Sequence, residues 1–303
     1  MAPGDVFEVE AATDVYYVDT GMYDTPEYGA VYIVDAERPA IVDAGIGTNV
    51  DLVLDAIESV GIDLADLEVI APTHVHLDHA GGTGFIAEAA PNADVYVHEV
   101  GAPHLVDPSR LVEGTKAAVG DQWQFYVEPE PVPEDRVTEI RGGDAIDLGD
   151  RKLDVLYAPG HAPHQVVFHD ASDEAVYVAD AAGIWVPALE AVRETTPPPN
   201  FDFERALEDV QTIRDLDPSL LLYAHFGPVD EDPLAALDEY EVRLTEWVEA
   251  IDEQFRETGD EDAVVEHFVE ATEMGDLWGS FKARAETEMN VRGVLRYLKT
   301  RDA

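Results

Sequence analysis

The chain has no cysteine. Disulfides, thiolate-held zinc, iron–sulfur clusters and a cysteine nucleophile are therefore excluded, and any metal must be bound by histidine and carboxylate. Positive charge is scarce as well: 18 Lys and Arg stand against 65 Asp and Glu in 303 residues, a formal net charge of -47. Lysine is rarest, at Lys116, Lys152, Lys282 and Lys299 only. A long apolar run is also missing. The longest stretch free of Asp, Glu, Lys and Arg covers residues 155–169 and holds two prolines, so neither it nor the opening Met1-Ala2-Pro3-Gly4-Asp5 has the form of a membrane span or a secretory signal. A soluble, cytoplasmic protein is expected.

Hydrophobic residues make up 46% of the chain, which separates it from disordered sequences that cannot bury enough apolar surface to offset their ordering entropy. Its acidity is spread along the whole length, as on the surfaces of halophile proteins, where high ionic strength screens self-repulsion. Few cations are available to follow a phosphate backbone, which argues against a nucleic-acid partner, although the argument weakens if the whole proteome is acidic. The length fits about two structural units, or one α/β domain with an extension.

Short β-branched and aromatic runs at residues 15–18, 31–34, 40–43, 67–71 and 95–97 read as strands, interrupted by a helical pattern from Thr48, the expected N-cap, to Gly61 and a short helix at 84–90. A second set follows, with strands at 153–157, 166–168, 175–178 and 220–223 and a helix near 203–216. Beyond Pro233 the pattern is helical, with an apolar stripe of Leu237, Tyr240, Leu244, Trp247, Val248 and Ile251 and a last helix over 280–301. The expected fold class is layered α/β, with a boundary near residue 230. Two long loops, 120–136 and 195–200, have the length of lids or linkers.

The segment Thr73-His74-Val75-His76-Leu77-Asp78-His79-Ala80-Gly81-Gly82 places four ligand-type side chains between a strand and a helix. On a strand end His74 and His76 point to one side, because the side-chain period is two, while Asp78 and His79 lie in the following turn. Imidazole and carboxylate donors suit zinc, iron or manganese.

These residues match the His-x-His-x-Asp-His signature, and the chain resembles the metallo-β-lactamase-fold superfamily. Ala158-Pro159-Gly160-His161, Val178-Ala179-Asp180 and Tyr223-Ala224-His225-Phe226-Gly227 resemble the later family segments, so the likeness runs over residues 15–230. It implies a four-layered αββα sandwich over residues 1–230 and a C-terminal helical extension over 231–303. It also implies two divalent metal ions: His74, His76 and His161 on the first, Asp78, His79 and His225 on the second, and Asp180 bridging them. Zinc is the expected metal, with iron or manganese as alternatives. One departure is Ala179, which stands where the family commonly has glycine.

Two such ions about 3.5 Å apart lower the pKa of a bridging water and polarise a carbonyl or phosphoryl oxygen, so hydrolysis by a metal-bridging hydroxide is expected. Asp78, besides ligating, is the candidate to orient that hydroxide or receive its proton. The compact ligand pattern most resembles the glyoxalase II and lactonase-like branch, whose substrates are thioesters, lactones and esters. Hydroxyacylglutathione hydrolase is the leading subclass, although no residue pattern demands glutathione. The alternatives are a nuclease resembling ribonuclease Z, whose basic arm is not visible here, and a mononuclear iron persulfide dioxygenase, which uses fewer ligands. Expected substrate contacts are Tyr23, Tyr28, Trp123, Phe125 and Tyr126 as an aromatic cover, His164 close behind His161, and Arg292 and Arg296 on the last helix as an anion-attracting face. A small-molecule substrate is expected, and a homodimer is allowed. The remaining histidines, His98, His104, His169 and His267, read as structural or surface residues.

Overall fold

The computed structural model describes residues 2–301. A first sheet is laid down in chain order by β1 (Val6–Glu8), β2 (Val15–Asp19), β3 (Ala30–Val34), β4 (Ala40–Val42), β5 (Val69–Ala71), β6 (Asp94–His98) and β7 (Val137–Ile140), antiparallel as far as β4 and parallel beyond it. The parallel pairings need crossovers. These are supplied by α1 (Val50–Ser59), by α2 (Leu77–Ala80) with α3 (Thr83–Ala89), and by α4 (Ala102–Val106) with α5 (Ser109–Val119).

A second sheet contains β8 (Ala145–Asp147), β9 (Lys152–Tyr157), β10 (Val166–Asp170) and β11 (Ala175–Tyr177). The chain then makes a separate hairpin of β12 (Ile184–Val186) and β13 (Ala191–Arg193) and crosses over through α6 (Phe203–Arg214). It returns as β14 (Leu220–Tyr223) and β15 (Gly227–Val229), giving the order β15-β14-β11-β10-β9-β8. The remaining helices are α7 (Pro233–Thr258), α8 (Glu261–Ala271), α9 (Gly275–Trp278) and α10 (Ser280–Arg301). Among the described residues no helix is long and apolar enough to cross a membrane.

Side-chain alternation turns these elements into four layers. In β3, Tyr32 and Val34 face the space between the sheets, while Val31 and Ile33 face α1 and α3; in β14, Leu220 and Leu222 face inward while Leu221 and Tyr223 face α6 and α7. Both faces are buried, so these strands read as continuous apolar runs. Between the sheets Tyr32 packs edge-on to Tyr177 at 5.4 Å, and its hydroxyl donates to Tyr223 O at 2.8 Å, tying one sheet to the other. The architecture is the expected αββα sandwich with C-terminal helices. Leu237, Tyr240, Leu244, Val248 and Ile251 of α7 share one apolar cluster with Val210 of α6, Val264 of α8 and Val294 of α10. Trp247 lies at the edge of this cluster, its indole N–H donating to Thr196 Oγ1 at 3.3 Å.

Several elements differ from expectation. Helix α1 starts one residue later, after Asn49, because Thr48 Oγ1 donates to Phe125 O instead of capping the helix. The short strands β1, β7, β8, β12 and β13 and the helix α5 carry no strong sequence pattern. Strand β5 ends at Ala71, so His74 and His76 lie beyond it: Pro72 has no N–H to continue the ladder, and both Thr73 N and Oγ1 donate to Asp43 Oδ1 at 2.8 Å.

Phe168 is fully buried between the sheets. Phe168→Ala is expected to lower stability by about 3–5 kcal/mol, the lost transfer energy plus a cavity, read from the shift of the urea midpoint at unchanged slope.

Candidate metal centre

The ligand-type residues converge at one edge of the sandwich. Beyond β5 the chain turns at His76 into the single-turn helix α2, with His79 N and Ala80 N both donating to His76 O at 3.0 and 2.8 Å. This brings Asp78 and His79 beside the two preceding histidines. A Cβ at Gly82 would stand 2.1 Å from Ala44 O, so the turn can lie against the end of β4 only with glycine there. Gly160 has the same reason, because a Cβ would meet the Ala206 backbone of α6 at 2.3 Å, and this packing sets His161. Asp180 and His225 enter from the second sheet, just past β11 and β14. The residue before Asp180, Ala179, has φ +46°, a left-handed conformation that glycine adopts more readily, which accounts for the family's usual residue at that position.

Three ligand-type groups result, His74-His76-His161, His74-His79-Asp180 and Asp78-His79-His225, each with its donor atoms within 4.8 Å of one another. His74 Nε2 and His161 Nε2 each lie 3.0 Å from His76 Nδ1, and His225 Nε2 lies 3.1 Å from His79 Nε2. Asp180 Oδ2 faces His161 Nε2 at 3.1 Å, while Oδ1 faces His79 Nε2 at 3.4 Å and His225 Nε2 at 3.7 Å. One carboxylate thus spans both groups.

The outward ring nitrogens fix the tautomers. Nδ1 of His225 faces Tyr28 O at 2.8 Å, Nδ1 of His79 faces Asp43 Oδ2 at 3.0 Å, Nδ1 of His161 faces Thr195 O at 3.4 Å and Nδ1 of His74 faces Thr73 Oγ1 at 3.3 Å. Each partner accepts the Nδ1 proton, so the Nε2 lone pairs point inward toward one another. Lone pairs 3 Å apart repel unless a cation lies among them. Asp180 Oδ1 is buried with no hydrogen bond. These residues therefore fit divalent metal chemistry.

The electrostatics divide these histidines. Burial and the neighbouring imidazoles hold His74 well below the usual histidine range and His76 at about 3, and burial likewise lowers His161. Burial would also depress His79, but the Asp180 and Asp43 carboxylates outweigh it and raise this group. At Asp78 and Asp180 burial opposes ionisation, yet the surrounding histidines pull both below the usual carboxylate range.

A cavity of about 500 Å³ opens onto His76, Asp78, His161, Asp180 and His225. Tyr23, Tyr28, Tyr126, His164 and Arg296 also line it. The Tyr23 and Tyr126 hydroxyls are 2.5 Å apart, and Tyr23 donates to Asp78 Oδ2 at 3.4 Å. Trp123 and Phe125 stand behind this wall: Trp123 stacks flat on Tyr126 at 5.4 Å, and Phe125 packs edge-on to Tyr23 at 5.9 Å. Arg292 is not among the lining residues. Its guanidinium pairs with Glu288 at 2.9 Å and Asp262 at 3.4 Å, because acidic neighbours are abundant on that face.

Sequence reasoning missed His104 and Arg110, which line the cavity from α4 and α5. Helix α5 buries no residue fully. It also missed Asp43, which holds both His79 and Thr73; the available signal was an acidic residue directly ending the β-branched run Ala40-Ile41-Val42.

Residues 24–225 match the sequence profile of the Metallo-beta-lactamase superfamily. The chain is 26% identical over 221 residues to the metallo-beta-lactamase fold-containing protein ST1585 of Sulfurisphaera tokodaii, covering 71% of this chain and 79% of that one. The solved structure of ST1585 from Sulfolobus tokodaii superposes with a TM-score of 0.71 at 22% identity, over 94% of this chain and 99% of that one. Two further relatives match over shorter spans. They are the acyl-coenzyme A thioesterase MBLAC2 of Gallus gallus, 26% identical over 55% of this chain and 62% of its own length, and an N-acyl homoserine lactonase of Bacillus thuringiensis, 26% identical over 56% and 58%.

Beneath the Pro159-Gly160-His161 turn, Asp209 Oδ2 accepts a 2.6 Å hydrogen bond from Gly160 N, and burial raises its pKa from 3.8 to about 7. A carboxyl whose folded pKa is raised contributes stability that is complete below pH 3.8 and lost as pH rises to about 7. Asp209→Asn cannot ionise. Wild type should therefore lose a few kcal/mol relative to this variant between those two limits and no more above them, as measured by urea unfolding across the pH range.

Proposed function

The chain belongs to the metallo-beta-lactamase superfamily, and on that premise we propose that it is a dinuclear metal-dependent hydrolase of small-molecule thioesters, lactones or esters. The observation that carries this reading is the convergence of the seven-residue set, His74, His76, Asp78, His79, His161, Asp180 and His225, with Asp180 facing both groups and all but His74 and His79 lining one cavity. We assign His74, His76 and His161 to one ion, Asp78, His79 and His225 to the other, and Asp180 to both, with zinc as the metal. When bound, such ions supply a water of lowered pKa and polarise the substrate carbonyl.

The chain's own groups do the rest. Asp43, Thr73, Tyr28 O and Thr195 O hold the imidazole tautomers that leave Nε2 free to ligate. Asp78, which lines the cavity and is oriented by the Tyr23 hydroxyl at 3.4 Å, is our proposed proton acceptor. Tyr23, Tyr28 and Tyr126 form an apolar wall with hydroxyl groups at its edge, the kind of surface that binds an acyl chain while orienting a carbonyl. Names among the relatives, an acyl-coenzyme A thioesterase and an N-acyl homoserine lactonase, support acyl substrates.

Metal analysis should find two ions per chain, and a substrate panel should show cleavage of an acyl thioester or a lactone. Activity on bis(p-nitrophenyl) phosphate alone would replace this reading with a phosphodiesterase. Asp180→Ala should cut kcat/KM by at least about a hundredfold and lower the metal count, in keeping with loss of a shared ligand. Full activity with two ions retained would remove Asp180 from the site.

A further inference from the structure

Lys282, Glu286 and Asn290 recur every fourth residue along α10, so they form one stripe, and all three are buried, at 3%, 5% and 3% exposure. Three other cations of this helix behave differently: Arg284, Arg292 and Lys299 pair with Glu266, Asp262 and Glu261 at the surface. Burying a full ion pair is costly unless its hydrogen bonds are satisfied. Here they are, since Lys282 Nζ donates to Glu286 Oε2 at 2.6 Å and to Gln122 Oε1 at 3.2 Å, and Asn290 Nδ2 donates to Glu286 Oε1 at 3.2 Å.

Both ends of this stripe reach the metal centre, one through a single residue and the other through two. At one end the Lys282 ammonium lies over the faces of Tyr23, at 3.7 Å, and Tyr28, at 4.5 Å. Tyr23 donates to Asp78, and Tyr28 O accepts from His225 Nδ1. At the other end Asn290 Oδ1 accepts from Thr196 N at 2.6 Å, and Asn290 O accepts from Thr196 Oγ1 at 2.9 Å. The preceding carbonyl, Thr195 O, accepts from His161 Nδ1. Helix and loop touch so closely that a Cβ at Gly293 would stand 1.7 Å from Thr196 O.

We infer that the buried Lys282-Glu286-Asn290 stripe of α10 positions ligands of both metal groups, Asp78 and His225 through Tyr23 and Tyr28, and His161 through Thr195 and Thr196, so that metal binding and docking of the C-terminal helix are coupled. This rests on the metal assignment proposed above. The three are positioning residues, since none is itself assigned as a ligand. By linkage, whatever loosens the helix weakens the metal, and the metal holds the helix.

The test is zinc affinity, measured on the purified full chain by competition with a chromophoric chelator. Lys282→Met and Asn290→Ala should each weaken a different one of the two stepwise zinc constants by about tenfold, at the lower end for residues that orient ligands. Ile57→Ala, which removes a buried apolar side chain of α1 packed on the outer face of the first sheet, away from the last helix, should lower Tm and leave both constants unchanged. Constants within twofold of wild type in both stripe variants would overturn the inference while leaving the metal centre standing. A wild type that binds no zinc would overturn both. If Lys282→Met does not fold, hydrogen exchange on the wild type decides: zinc should slow the amides of residues 283–293 at least tenfold more than those of α8, and equal slowing in the two helices would overturn the coupling.

Discussion

The constraint on which the rest of the structure depends is mutual repulsion at the metal centre. Inward-facing imidazole lone pairs about 3 Å apart, together with the carboxylates of Asp78 and Asp180, are a costly arrangement in a dry interior. Two things offset that cost, the positive charge the donors are built to receive and the surrounding groups that prevent the donors from turning away. Asp43 illustrates the second. One oxygen accepts from Thr73 and the other from His79, so a single carboxylate both ends the strand β5 and fixes a ligand tautomer.

That requirement explains why the site sits where two sheets meet. No one element can hold seven donors in one volume, but the edge of a sandwich collects chain ends from both sheets. The His-rich turn comes from the first sheet, and His161, Asp180 and His225 come from the second. The hydrogen bond from Tyr32 to Tyr223 O and the shared core between the sheets keep the two halves in register, so packing far from the chemistry sets distances at the metal site.

The C-terminal helices extend the same logic outward. Their apolar stripes cover the second sheet, as any amphipathic helix would, while α10 adds a polar stripe facing the site. A chain with so few cations places one of its four lysines there, buried against two tyrosines. The polar contacts that the sequence suggested for this helix were the surface arginines. Arg292 is held by Glu288 and Asp262 at the surface, and only Arg296 of that pair lines the cavity.

Much was legible from residues alone, for reasons that are local. Ligand chemistry depends on residue type and short spacing, so the His-x-His-x-Asp-His run and the layered alternation of strands and helices could be read directly, the three later segments were reached through the family resemblance, and the absence of cysteine restricted the donors before any geometry was known. Spacing also led to a right grouping by a wrong route: His74 and His76 do converge, but in a turn held by Asp43, not on a strand of period two. What only tertiary structure decided is which distant groups support those ligands. Asp43, Tyr28 O, Thr195 O and Lys282 are separated from their partners by long stretches of chain, and a backbone carbonyl or a buried lysine has no sequence signature. The cavity face of helix α5 is of the same kind, since His104 and Arg110 come to the site only by the packing of α4 and α5. Local chemistry is written in the sequence, whereas the contacts that orient it arise only when remote segments are packed together.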